Sequence, residues 1–387
     1  MINKSEETKK ILRLLSRANL TRQQLNQHLR IRVSTLQHII NGLISEGVIA
    51  EPGRHSARTG AKAHELSINP SCGNLIGIDF GATQTRVILS DFNGKCIAQY
   101  KGAYGGIKEK SAGLEEIFSI INQVQQEHPE LWGKTTGIGF SDPGPVNPLE
   151  GISLQANNIL NWKNVPVEKI FSEKYNLPAA LISASQAKGL LESYTESKES
   201  QSLFVADMGK GVGAAWIYHG EVYFGSTYTG MEFGHTMAAE SGAQCVCGKR
   251  GCLEAEVGSG AIERKFKARL ADGAQSSLRG LPVTAETIIL AAQEGDSTAL
   301  DTIRESAHLL AKSLSYVIQM INPEKIVIDG MIAQLQDKLI SLLLHHLGDY
   351  CPAQTLARTK ITCSLHDEFA SARGAALWVR EKLLYRK

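Results

Sequence analysis

No apolar run in this chain reaches the roughly 18 residues that a helix needs to cross a bilayer, which excludes a helical membrane span. The N-terminus lacks the basic-then-apolar pattern of a secretory signal and is polar and helical in pattern instead. Cysteine is scarce and badly placed for a disulfide framework: there are seven in 387 residues, and three fall within eight positions. These absences point to the cytoplasm, where thiols stay available for metal. With 43% apolar residues over 387 positions, the chain can bury ordinary cores in two or three domains.

The net charge is only +2, but it is unevenly spread. Residues 1–70 carry 11 Lys/Arg against 5 Asp/Glu, leaving 30 against 34 for the rest. A basic segment ahead of a mildly acidic body suggests a nucleic-acid module on a ligand-binding domain. The pattern within this segment agrees. Ile11, Leu12, Leu14 and Leu15 mark a first amphipathic helix. Thr21 and Gln24 form a capping box for a second. In a third, Leu36, Ile39, Ile40, Leu43 and Ile44 make one apolar stripe, and Gly47 ends it. Ser34, His38, Asn41 and Ser45 face the other way, with Gln37 on the flank. Two strands, 48–51 and 63–68, then surround a basic loop holding Arg54, His55, Arg58 and Lys62.

This order predicts a winged helix-turn-helix over residues 1–70 that binds double-stranded DNA. In such modules the second helix of the motif enters the major groove. Ser34, Gln37 and His38 are the base-reading candidates, Thr35 beside them is a further DNA-binding candidate, and Arg32, Arg54, Arg58 and Lys62 are the phosphate or groove contacts. A three-helix protein-interaction module is the competing reading.

One stretch is unusually rich in chemistry. His235, Cys245, Cys247 and Cys252 follow H-x9-C-x-C-x4-C among glycines. Four nitrogen and sulfur donors in a short window suit tetrahedral Zn²⁺ in a structural role; buried thiols without metal are the alternative. The same loop carries Glu232, His235 and Glu254, which are able to grip a hydroxylated ligand.

The body reads as α/β, with strands alternating with helices. Residues 74–80 form a buried strand that turns through Gly81-Ala82-Thr83-Gln84-Thr85 directly into a second strand, 86–90. Asn93-Gly94 then signals another hairpin turn. A glycine-containing turn between antiparallel strands is not the strand–turn–helix of a Rossmann or P-loop site. Further strands are expected at 135–140, 203–207, 214–218, 221–224 and 325–329. Helices are expected at 111–127, 166–175, 184–196, 259–270, 284–293, 297–321, 333–347 and 369–385.

Five motifs now stand in order: Asp79-Phe80-Gly81-Ala82-Thr83, Gly137 to Val146, Asn158 to Trp162, Glu232 to His235, and Cys245 to Glu254. Together they resemble the ROK family of sugar kinases and repressors, over about residues 74–387, and the head resembles its transcriptional repressor branch. The resemblance implies a two-lobed actin-like fold after the head. Lobe 1 spans 71–182 with a degenerate phosphate loop. Lobe 2 spans 183–387 with the zinc site, its last helix returning to lobe 1.

The resemblance also implies a sugar or sugar-phosphate effector on Asn158, Ser183, Glu232, His235 and Glu254. Where the family's kinases carry their catalytic aspartate, this chain has Ala184, which accepts no proton; loss of a general base costs about 10²–10⁴ in rate. Gln84, Lys210 and a shortened Asp329-Gly330-Met331 turn also depart from the kinase pattern. No catalytic residue is therefore assigned and ATP is not an expected cofactor. Asp79 is expected to persist as a structural carboxylate capping the hairpin. The whole reads as a sugar-responsive regulator of carbohydrate-use genes. It is expected to act as a homodimer or homotetramer on an inverted-repeat operator, associated with the nucleoid when bound. A sugar kinase with a DNA-binding head, and a regulator controlled by a protein partner, are the alternatives.

Overall fold

The computed structural model describes residues 5–51, 64–81, 83–105, 108–156, 159–195 and 201–385. It divides into two compact units, residues 1–187 with 368–387 and residues 188–367. Among the described residues no helix is long and apolar enough to cross a membrane.

The first unit is built around strand Asn74–Phe80, buried at every position. That is the signature of a strand covered on both faces. It pairs antiparallel with Thr85–Asp91 and parallel with Thr135–Asp142. Cys96–Lys101 and Ala179–Ser183 complete the two edges of a five-stranded sheet. The Asn93-Gly94 turn forms as its residues require: the Asp91 carboxylate accepts the N–H groups of Asn93 and Lys95, and Gly94 takes φ +83°.

Side chains alternate across this sheet. On one face Ile76, Ile78 and Phe80 join a core with Phe140, Trp162 and Phe171. On the other, Gly77 and Gly139 let the C-terminal helix Ala370–Leu384 lie directly on the strands. A Cβ at Gly139 would stand 1.8 Å from the carbonyl oxygen of Ala375. Alanines 372, 375 and 376, with Gly374, keep that side of the helix thin.

The N-terminal segment belongs to the same unit. Helices Glu6–Arg17, Arg22–Leu29 and Val33–Ser45 are followed by a small antiparallel sheet. In it Glu65–Ile68 pairs with both Leu20–Thr21 and Ile49–Ala50. The Thr21–Gln24 capping box is made on both sides. In the third helix Leu36, Ile40 and Leu43 are buried, while Ile39 and Ile44 are half-buried. Gly47 at φ +72° closes it, with Val48 N–H donating back to Leu43.

This head is tied down by buried charge. Arg17 lies 3.7 Å from Glu381, and Arg380 donates to the carbonyl of Ser16 at 3.3 Å. Asn69 donates to the carbonyl of Gly47 at 2.7 Å.

The second unit repeats the topology of the first. Its strands, in sheet order, are Glu221–Val222, Val212–Tyr218, Ser202–Met208, Lys325–Gly330 and Lys360–Cys363. Both sheets run third, second, first, fourth, fifth in order of chain appearance, antiparallel through the first three and parallel thereafter. The buried helix Ser297–Met320 is the spine of this unit's core.

Several boundaries differ from the sequence reading. The helix expected at 333–347 starts at Asp337, because Gln336 takes φ +45° after a 3₁₀ turn over Met331–Leu335. The strand expected at 221–224 stops at Val222. The division expected at 182/183 falls after Ala187. Ser183 still pairs with Asp142 in the first sheet, and helix Ala184–Thr195 carries the chain onward.

Candidate functional site

The four expected metal ligands come together. One donor atom from each of His235, Cys245, Cys247 and Cys252 lies within 4.8 Å of all the others. Cys247 and Cys252 sulfurs are 3.6 Å apart, and Cys245 Sγ is 3.7 Å from His235 Nδ1. A tetrahedron with metal–sulfur bonds of about 2.3 Å has edges of about 3.8 Å, so the donor set fits a tetrahedral ion.

The backbone shapes this cradle. Cys245 N–H donates to Lys249 at 2.8 Å and Gly248 N–H to Cys245 at 3.0 Å, closing a tight knuckle between two ligands. Isolated bridges pair Met237 with Cys252 and Gln244 with Arg250. Gly251 is required here: its φ is +71°, and a Cβ would stand 1.7 Å from the Ala239 carbonyl oxygen. Burial pushes the thiol of Cys245 up, and that of Cys252 to about 12. The Lys249 backbone N–H draws Cys247 down.

His235 turns its second nitrogen toward Glu232, at 3.9 Å from Nε2 to the carboxylate. Burial raises the Glu232 pKa, His235 opposes the rise, and the nearby Glu254 charge adds to it. Glu254 sits in the first turn of the short helix Leu253–Val257. One of its oxygens accepts the N–H of Val212 at 3.0 Å, and the other lies 3.9 Å from Cys245 Sγ. Glu232, His235 and Glu254 thus share one neighbourhood with the metal cradle in the second unit. Ser183 belongs to the first unit. Asn158 lies outside the described residues, as do Arg54, Arg58, Lys62 and Ala82.

Ser183 closes its strand, and its N–H donates to the Gln186 side chain at 3.3 Å. Ser-x-x-Gln is a capping-box spacing, so this stretch now serves the helix start. Ala184 is the first residue of that helix. Beside Ser183 in register stands Asp142, fully buried, a residue that sequence reasoning missed. It accepts the Gly144 N–H at 2.9 Å and the Trp162 indole N–H at 3.0 Å. Burial pushes its pKa up to about 7 against these hydrogen bonds.

Asp79 sits near the end of its strand, just ahead of the turn. Its register partner on the next strand is Arg86, whose guanidinium lies 3.5 Å from its carboxylate. Glu256 was also missed: buried beside Glu254, it accepts the Ala243 N–H at 2.6 Å and so holds the loop ahead of Cys245. A second carboxylate two residues after Glu254 is the only trace of it in the sequence. In the head, Arg32, Ser34, Thr35, Gln37 and His38 are all exposed.

Comparison with known proteins places this geometry. The model of the ROK family matches residues 75–382. A xylose repressor of Caldicellulosiruptor bescii is 28% identical over 323 residues, covering 81% of this chain and 80% of the repressor. A glucokinase of Thermotoga maritima is 27% identical over 315 residues, covering 98% of the kinase but 80% of this chain. A solved ROK family transcriptional regulator, described as a homologue of the E. coli MLC protein, superposes with a TM-score of 0.84 at 25% identity. It covers 98% of both chains. Two sheets of one actin-like topology, a His/Cys₃ cradle and a family match across most of the sequence lead to one conclusion: this chain belongs to the ROK family.

Proposed function

We propose that this chain is a sugar-responsive transcriptional repressor of carbohydrate-use genes, with a winged helix-turn-helix head that binds an inverted-repeat operator. The observation that carries the reading is the helix Val33–Ser45. Leu36, Ile40 and Leu43 of its apolar stripe are buried, while Ser34, Thr35, Gln37 and His38 stand exposed near its start. That is the end of a recognition helix that reads base edges. Arg32 precedes it as a phosphate contact, and Arg54, Arg58 and Lys62 are assigned the same role. In a homodimer or homotetramer, two such helices would address half-sites about 34–36 Å apart or a multiple of that.

The body is read as the effector domain. Glu232, His235 and Glu254 offer carboxylate acceptors and a ring nitrogen to sugar hydroxyls, with Asn158 and Ser183 as further contacts. Zn²⁺ in the His/Cys₃ cradle would cross-link residues 235–252. Because His235 faces the thiols with Nδ1, its Nε2 is left on the Glu232 side for a hydroxyl. A sugar shifts the DNA-binding equilibrium only by the difference of its affinities for the two states.

Two observations support a body without kinase activity. Ala184 offers no general base. The turn Gly209-Lys210-Gly211 presents its following N–H, that of Val212, to the Glu254 carboxylate, and a fixed anion there opposes a phosphate. The kinase alternative draws on the glucokinase likeness and on Asp142, whose pKa of about 7 suits a proton acceptor. Both readings meet one experiment. Genome-wide crosslinking of the tagged protein, with carbon-source shifts, is expected to enrich sites beside sugar-transport genes. ATP turnover over a sugar panel is expected to stay at background. No enrichment under any condition, together with sugar-dependent turnover, would reverse the assignment.

A further inference from the structure

Lys188 is the first residue of the second unit. Its ammonium sits 2.7 Å from one carboxylate oxygen of Asp207 and 2.8 Å from one of Asp329. The two aspartates are register partners on adjacent parallel strands, one position from the end of Ser202–Met208 and of Lys325–Gly330. Their side chains are 13% and 10% exposed, so little water screens them.

Like charges directly opposite on neighbouring strands repel, and burial worsens the repulsion because water no longer screens it. Burial alone would pull a lysine's pKa down; here the two carboxylates outweigh it and hold Lys188 firmly protonated. Asp329 is correspondingly held below the usual carboxylate range, against its burial. The carboxyl ends of parallel strands are where α/β sheets bind ligands. Paired, part-buried carboxylates at such a place are hard oxygen donors of the kind that hold Mg²⁺ or Mn²⁺.

We propose that Lys188 is a built-in counter-ion standing where the Asp207–Asp329 pair would otherwise hold a divalent cation, so that the second unit keeps its strand ends together without one. The ammonium excludes the cation by occupying the same oxygens. This deepens the non-enzymatic reading, because phosphoryl transfer from a nucleotide relies on a metal ion close to the phosphates. Its test needs neither sugar nor nucleotide. Kinase turnover by the wild-type protein would sink that reading and leave the metal result standing.

The full chain, its His/Cys₃ cradle first loaded with Zn²⁺, is titrated with MnCl₂ and the free ion read by electron paramagnetic resonance. Wild type is expected to retain no Mn²⁺ at this pair at about 1 mM free ion. Lys188→Ala, which removes the ammonium and its stem, is expected to retain one equivalent and to melt at higher temperature with Mn²⁺ than without. Lys188→Ala combined with Asp329→Asn is expected to lose that equivalent. A folded Lys188→Ala that binds no Mn²⁺, or a wild type that binds as much as the variant, would overturn the proposal. If the alanine variant folds only when Mn²⁺ is supplied, the proposal stands; if it folds under neither condition while Lys188→Met folds without metal, the ammonium is replaceable by an apolar stem and the proposal falls.

Discussion

Replacing Asp142 by asparagine removes a carboxyl group that folding makes reluctant to ionise. The side chain is fully buried, and that burial raises its pKa from 3.8 to about 7. Between those limits the folded state binds a proton that the unfolded state has released. Stability must therefore fall as pH rises from about 4 to about 7, and level off above. At about 1.4 kcal/mol per pH unit, the span corresponds to roughly 4 kcal/mol. The asparagine cannot titrate, but its amide nitrogen opposes one of the donors that the carboxylate accepts, which include Gly144, Trp162 and Ser153. That loss costs about 1 kcal/mol.

The two proteins should therefore cross. Asp142→Asn is expected to match wild type near pH 4.5, to be less stable below it and to be more stable by roughly 3 kcal/mol at pH 8. Urea unfolding at a series of pH values gives the difference, and taking the difference cancels the histidines common to both proteins. The ¹⁵N resonance of the Trp162 indole, assigned with Trp162→Phe, should titrate near pH 7 in wild type and stay flat in the variant. Parallel stability profiles with a flat indole resonance in both proteins would refute the reasoning. They would mean that the hydrogen bonds from Gly144, Ser153 and Trp162 keep the carboxylate ionised at every pH.

Other outcomes follow from the same geometry. Glu381→Gln removes one charge of a buried ion pair with Arg17 and should destabilise the protein in urea unfolding; a double-mutant cycle with Arg17→Met isolates what the pair itself contributes. Cys247→Ser should abolish the one equivalent of zinc expected by elemental analysis and open residues 236–252 to limited proteolysis. Gly139→Ala drives a methyl into the Ala375 carbonyl and should yield mostly insoluble protein. Gly42→Ala, with nothing within 4 Å of the new atom, should be neutral or stabilise the third helix by up to about 1 kcal/mol.

Much of this architecture was legible because local signals carried it. Strand Asn74–Phe80 announces itself as an apolar run, and Thr21 with Gln24 writes a helix start in four letters. The metal cradle was legible because its ligands are near neighbours in sequence. What stayed hidden depends on distant partners. Strand Ala179–Ser183 is short and follows a proline, and only its pairing with Thr135–Asp142 makes it a strand. Lys188 looks like any helix lysine until strands far along the chain bring Asp207 and Asp329 to it. Asp142 carries no local signal of its burial, which comes from Trp162 and Ser153 folding over it. The repeated topology of the two sheets leaves no readable repeat, since pairing order constrains burial pattern rather than residue identity.

The seat of the C-terminal helix has a consequence for how the chain is made. Synthesis runs from the N-terminus at about 5–20 residues per second. Everything the second unit needs has emerged by residue 367, whereas the first waits for residues 368–387. Until then the Gly77–Gly139 face of its sheet has no cover, and Arg17 lacks Glu381. The half that starts first is finished last. A chain whose translation stops early would thus carry a complete second unit and a first unit whose sheet and N-terminal helices lack the final helix that packs on them.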